Sequence, residues 1–133
     1  MQAEQESSGL RLYTTVATWC EACRAELPQL SVLRDAFSAV QLAMIGVPYD
    51  ENDHPDKLRD WAATYAAPYQ IIYDLDEADI LSVQDYVQRV FRMDGLPVSI
   101  VTDRQGRVLL RKWGPPTVSE IEGLLPQHRA KPS

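Results

Sequence analysis

Trp19-Cys20-Glu21-Ala22-Cys23 carries both cysteines of a 133-residue chain, three positions apart. Two sulfurs at that spacing can close a small disulfide ring. Upstream, Leu10-Arg11-Leu12-Tyr13-Thr14-Thr15-Val16 reads as a strand, and downstream Cys23, Leu27, Leu30, Leu33 and Phe37 recur at helical spacing. The pair is therefore expected where a strand gives way to a helix. At a helix start, free backbone N–H groups and the positive end of the macrodipole stabilise an anion, which points to Cys20 as the thiolate nucleophile.

Other readings of the pair compete with redox chemistry. A zinc site needs about four ligands, and the remaining candidates, His54 and His128, lie far in sequence from the cysteines and from each other. A static structural disulfide would close so short a loop that it removes little unfolded-state entropy. Two buried, inert thiols are the third alternative, set against the accessibility usual at a helix start behind a small-residue loop. Redox chemistry is the reading these residues favour.

Length and composition are those of one domain. A chain of this size buries about two-thirds of its unfolded surface, enough for a single core. The net charge of −6 argues against nucleic-acid or anionic-membrane partners, which need basic patches. No apolar run approaches the roughly 20 residues that span a bilayer. Residues 1–9 are polar and read as a flexible lead or the remnant of a targeting or anchoring segment.

Strand and helix patterns then alternate. The apolar run Val40–Val47 predicts a strand covered on both faces. Asn52-Asp53-His54-Pro55 supplies cap residues for a helix with Leu58, Trp61, Ala62 and Tyr65 on one face, ending before Pro68. Tyr69–Tyr73 predicts a short strand. Asp74, Asp76, Glu77 and Asp79 precede a helix bearing Ile80, Val83, Val87, Val90 and Phe91; they read as caps, lacking the turn glycine and distal glutamate of a calcium loop. After Asp94-Gly95, the segments 96–102 and 107–113 flank the turn Asp103-Arg104-Gln105-Gly106 as an antiparallel hairpin. Thr117 and Glu120 form a capping box for a last helix containing Val118, Ile121, Leu124 and Leu125. Pro28 predicts a kink in the helix after the cysteines. Trp61 and Trp113 read as core, His54 as a neighbour of a helix cap, and His128 as part of a frayed tail.

Trp-Cys-x-x-Cys at a strand–helix junction, a Gly-x-Pro turn at Gly95-Leu96-Pro97 opening a late hairpin, and a closing helix resemble the thioredoxin fold over residues 10–129. The pattern Trp19, Cys20, Cys23, Glu26, Pro28, with Asp103-Arg104-Gln105-Gly106, Gly114-Pro115-Pro116-Thr117 and the helix at 55–66, is similar to the TlpA/ResA-like branch of exported thiol–disulfide oxidoreductases. The resemblance implies an α/β, thioredoxin-like three-layer α/β/α sandwich with a central mixed sheet and an extra helix after the second strand. It also implies a domain at 10–129 between the lead and a tail at 130–133. Two departures stand out. Ala22 occupies a position where the branch commonly has proline, and the 74–95 segment is longer than usual.

From the residues, Glu26 sits one helical turn beyond Cys23, where a carboxylate could pass protons to and from the second sulfur; a solvated first-turn glutamate is the plainer alternative. The resemblance favours the relay. It likewise implies a cis peptide before Pro97, with Leu96-Pro97 facing the cysteines and the Leu96 backbone free to pair with an extended partner. Trp19 is expected beside the disulfide, partly shielding it, with core packing as the alternative. Trp19, Glu21, Ala22, Leu96 and Pro97 thus form the expected substrate-binding set around the catalytic Cys20, Cys23 and Glu26. The negative charge of Glu21 disfavours thiolate and so predicts a reductant. The expected activity is reduction of protein disulfides, for instance apocytochrome c haem-site cysteines or cysteines of copper-site assembly, by a monomer outside the cytoplasm. The redox-active disulfide needs no cofactor or metal; partners are a disulfide-bearing protein and an upstream dithiol donor, and a membrane tether is compatible with the chain. A dithiol Cu(I) carrier and a disulfide oxidase or isomerase of the same fold are the alternatives.

Overall fold

Leu10, Leu12, Thr14 and Val16 alternate onto one face of the first strand, and that face organises the molecule. The computed structural model of the chain describes residues 9–92 and 95–125; most of the expected lead, Asp94 of the predicted turn, His128 and the 130–133 tail lie outside them. Along the chain run β1 (Leu10–Val16), α1 (Glu21–Ala25), α2 (Leu27–Ala36), β2 (Leu42–Pro48), α3 (Pro55–Tyr65), β3 (Gln70–Ile71), α4 (Glu77–Phe91), β4 (Val98–Thr102), β5 (Val108–Trp113) and α5 (Val118–Leu124).

The five strands form one mixed sheet in the order β3-β2-β1-β4-β5. β1 pairs parallel with β2, Thr14 opposite Gly46, and antiparallel with β4, Thr14 opposite Ser99. Helix connections return the chain for the parallel pairs, while the tight Asp103–Gly106 turn suffices for β4 and β5. In that turn Asp103 accepts from the Arg107 backbone at 2.9 Å, and Gly106 takes φ +87°, open to glycine without strain.

One sheet face carries the main core. Leu10, Leu12, Val16, Leu42 and Met44 meet Leu27, Leu30 and Leu33 of α2, Leu58 and Trp61 of α3, and Ile121 near the C-terminus. Each fully buried side chain of this kind contributes roughly 1.5–3 kcal/mol through removal from water. The other face differs from expectation. Ala43, Ile45 and Val47 of β2 are only half-buried; among the described residues α4 is the helix on that face, and a cavity of about 280 Å³ there is lined by Tyr13, Val47, Val83, Tyr86 and Ile100. Val40, expected inside the strand, is exposed ahead of it.

Helix ends follow the cap residues, with two reassignments. Asp76 and Asp79 close a capping box on α4, and Thr117 and Glu120 do so on α5. His54 is itself the N-cap of α3, accepting from the Asp56 N–H at 3.2 Å. Asp53, expected among the caps, turns away to another task. Pro28 interrupts the helix after the cysteines two residues earlier than its own position: with no N–H to give the Arg24 carbonyl, the ladder parts at Glu26, which keeps helical angles (φ −84°, ψ −9°) and still accepts from the Leu30 N–H.

Trp113 is a correction. It is 44% exposed rather than core, because β5 is the edge strand and Trp113 its last residue. Its indole lies over Gly95, donating Nε1–H to the Gly95 carbonyl at 3.1 Å, and a Cβ at Gly95 would collide with the ring.

Candidate active site

β1 ends at Val16, and a three-residue turn delivers Cys20 as the N-cap of α1. Its extended backbone (φ −88°, ψ 105°) lets the sulfur face the first turn, where the Cys23 N–H donates to Cys20 Sγ at 3.1 Å. That contact and the helix start stabilise negative charge on Cys20. The two sulfurs are bonded to each other. Cys20 is 7% exposed and Cys23 fully buried, so the outer sulfur is the one that solvent and partners can reach. Cys23 Sγ lies 3.7 Å from the Thr15 carbonyl oxygen.

Glu26 is 5% exposed, one turn beyond Cys23. Thr14 Oγ1 donates to Oε2 at 3.0 Å, while Oε1 has no partner among the described residues. Burial pushes the carboxyl up to about 7, and the Thr14 hydroxyl partly opposes it. Adjacent residues of β1 therefore contact the two groups: the Thr14 side chain meets Glu26, and the Thr15 carbonyl meets Cys23. Glu26 is not a solvated first-turn residue.

The opposing wall is the 95–98 loop. The Leu96–Pro97 peptide bond is cis, Leu96 packs on the cluster of Ala17, Cys20 and Cys23, and the Val98 N–H donates to Thr15 Oγ1 at 3.0 Å. β4 begins only at Val98, so the Leu96 backbone belongs to no strand pair.

Around this centre the expected outer residues fall as follows. Glu21 and Ala22 are exposed at the start of α1. Trp19 is 58% exposed, which removes the core alternative; it borders a small cleft with Cys20, Glu21, Arg24, Trp61 and Tyr65. Arg24, the cation of this turn, is drawn to Tyr65, with its guanidinium 3.3 Å from the hydroxyl and over the ring.

Composition and spacing mark Asp53 only as a helix cap and leave Asp50 unmarked. Asp50 Oδ2 accepts from Trp19 Nε1 at 2.7 Å, and buried Asp53 accepts from the Thr18 N–H at 2.9 Å and the Thr18 hydroxyl at 2.6 Å. Two aspartates thus hold the two residues just before Cys20. A signal existed in the acid-rich stretch following a parallel strand, where sites gather at strand carboxyl ends. Asp53→Ala leaves the Thr18 donors without their acceptor, and denaturant unfolding should report a loss of about 1–3 kcal/mol.

The AhpC/TSA family profile matches residues 3–111, most of the chain. The chain belongs to the AhpC/TSA family. Within this thioredoxin-fold family, it is 23% identical over 108 residues to the thiol–disulfide oxidoreductase ResA of Bacillus thuringiensis (strain Al Hakam), covering 81% of the chain and 57% of ResA. The chain thus spans a little over half the length of the curated relatives it matches. Among solved structures, a thiol–disulfide isomerase from Corynebacterium glutamicum superposes with a TM-score of 0.67 at 17% identity, over 99% of this chain and 88% of that one. StoA from Bacillus subtilis superposes with a TM-score of 0.61, also at 17% identity, over 89% and 83%. The mixed five-stranded sheet flanked by helices is the thioredoxin-like α/β fold.

Proposed function

We propose that this chain is a thiol–disulfide oxidoreductase that reduces disulfides of polypeptide partners outside the cytoplasm. The observation that carries the reading is the Cys20–Cys23 disulfide at a helix start, the Cys23 N–H on Cys20 Sγ and a buried carboxylate one turn further on. In the dithiol form, Cys20 thiolate attacks one sulfur of the partner disulfide. A mixed disulfide forms and one partner thiolate leaves. Cys23 then gives its proton to the Glu26 carboxylate and attacks Cys20, closing the Cys20–Cys23 bond and releasing the second partner thiolate. Two electrons pass to the partner, and an upstream dithiol donor restores the reduced pair.

Geometry supports a polypeptide as substrate. The Leu96 backbone beside the sulfurs offers pairing to an extended segment, and exposed Trp19 borders the cleft at Cys20. Cysteine pairs awaiting haem or copper are substrates of this class. The extracytoplasmic setting fits compartments where disulfides persist and the resemblance to ResA.

Direction follows from the loop between the cysteines. Glu21 places a negative charge beside the sulfurs, and Arg24 is held by Tyr65 instead. Thiolate is therefore less favoured than in strong oxidants, and the dithiol gives up electrons readily. Equilibration against glutathione or dithiothreitol should give a potential of roughly −230 to −290 mV. A value above about −180 mV would overturn the assignment as reductant.

A further inference from the structure

Against β2 lies a second buried polar side chain that the exchange steps do not use. Tyr69, just before β3, is 6% exposed, and its hydroxyl has no partner among the described residues. Its ring covers Gly46 so closely that a Cβ there would stand 2.7 Å from Cδ1 and Cε1. Gly46 is the β2 partner of Thr14, the residue whose hydroxyl donates to Glu26. Tyr69 and Glu26 therefore converge on one strand pair. They bring complementary unmet needs: a phenol O–H can donate, and Oε1 of Glu26 can only accept when ionised.

We propose that Tyr69 is a positioning residue for Glu26, its phenolic O–H donating through one buried water to the Oε1 that Thr14 leaves unpaired, and so holding the carboxylate ionised and in place for Cys23. The proposal rests on the reading of Glu26 as the base of the resolving step. A water between two such atoms satisfies both, as buried waters do in polar interiors. Among the described residues Thr14 from β1 is the side chain hydrogen-bonded to Glu26, and Cys23 precedes it by one helical turn. Tyr69 in turn is acted on by Glu26 and Tyr73, and Tyr73 carries the Arg59 guanidinium 4.4 Å over its ring. Burial, then the Glu26 carboxylate and Tyr73, hold the Tyr69 phenol above its usual range. It stays protonated, and so a donor, throughout the titration of Glu26.

Tyr69→Phe deletes the donor while leaving the ring on Gly46. The resolving step, followed by single-turnover release of a peptide from its mixed disulfide with Cys20, should shift its pH midpoint upward by roughly 0.5–1 unit, a roughly two- to five-fold loss at pH 7. Above pH 9 the rate should return to within about two-fold of wild type, since Glu26 is then ionised in both proteins. In a Glu26→Gln background Tyr69→Phe should change nothing. A Tyr69→Phe profile superimposed on wild type, or a shift that persists without Glu26, would overturn the proposal. If Glu26→Gln itself keeps the wild-type profile, the base assignment fails instead. The coupling is then read from the carbon-13 resonance of the Glu26 carboxyl, whose midpoint must rise in Tyr69→Phe. In the unsubstituted protein the Tyr69 ring carbon bearing the hydroxyl must track that same midpoint; a flat Tyr69 signal through the Glu26 titration contradicts the link without any variant.

Discussion

Cys20→Ser should lower the reduction of a peptide disulfide by about a thousand-fold or more, because serine presents no anion near neutral pH while the thiolate is the attacking species. The loss should not come from unfolding. Cys20 caps α1 through its side chain, and serine is a strong N-cap that can accept from the same Cys23 N–H. Thermal melting of reduced wild type and Cys20→Ser should therefore agree closely, while turnover separates them. A Cys20→Ser protein with more than about a tenth of wild-type turnover would show that another group makes the first attack.

Glu26→Gln has the second largest effect, and it acts with opposite sign on activity and stability. Folded Glu26 titrates near 7 against 4.5 for the free side chain, with burial as the cause. Its folded value is raised, so its contribution favours the fold fully below pH about 4.5 and is lost as pH climbs through about 7. At pH 8 the ionised, buried carboxylate costs at most roughly 3 kcal/mol, which a neutral glutamine does not. Chemical denaturation of the disulfide form should find Glu26→Gln more stable than wild type by about 1–3 kcal/mol at pH 8 and nearly equal at pH 4. Turnover should instead fall about ten-fold at pH 7, and the inflection near pH 7 should disappear. A variant that is both less active and less stable at pH 8 would show that Glu26 supports the fold and is not a base held there against the cost of burial.

Much of this fold is legible in the chain because its signals are local. Leu10–Val16, the 3.6-residue rhythm from Cys23 to Phe37 and the two capping boxes at Asp76 and Thr117 announce their elements without help from the rest of the molecule. What the sequence hides depends on order across the sheet. Trp113 has a core composition but ends an edge strand, and Val47 belongs to an apolar run yet faces a sheet surface that one helix only partly covers. At the site, Cys20, Cys23, Glu26 and Pro97 stand in a contiguous motif or a turn signature. Thr14, Asp53 and Tyr69 do not. Thr14 reads as one more strand residue until α2 places Glu26 over it, and Asp53 reads as a helix cap until β2 brings its loop against Thr18. Such contacts between distant segments exist only once the sheet has formed.

Trapping the intermediate tests the central claim most directly. Reduced Cys23→Ser and reduced Cys20→Ser are each mixed with one equivalent of a peptide disulfide near neutral pH and quenched with acid. Intact mass then reports the adduct. The account predicts that Cys23→Ser gains one half-peptide through Cys20, with one peptide thiol released, and keeps it because no second sulfur is present to resolve the bond. Cys20→Ser, left with the buried Cys23, should remain unmodified over the same interval. Equal or faster capture by Cys20→Ser, or no adduct on either protein, would contradict the roles assigned to the two cysteines.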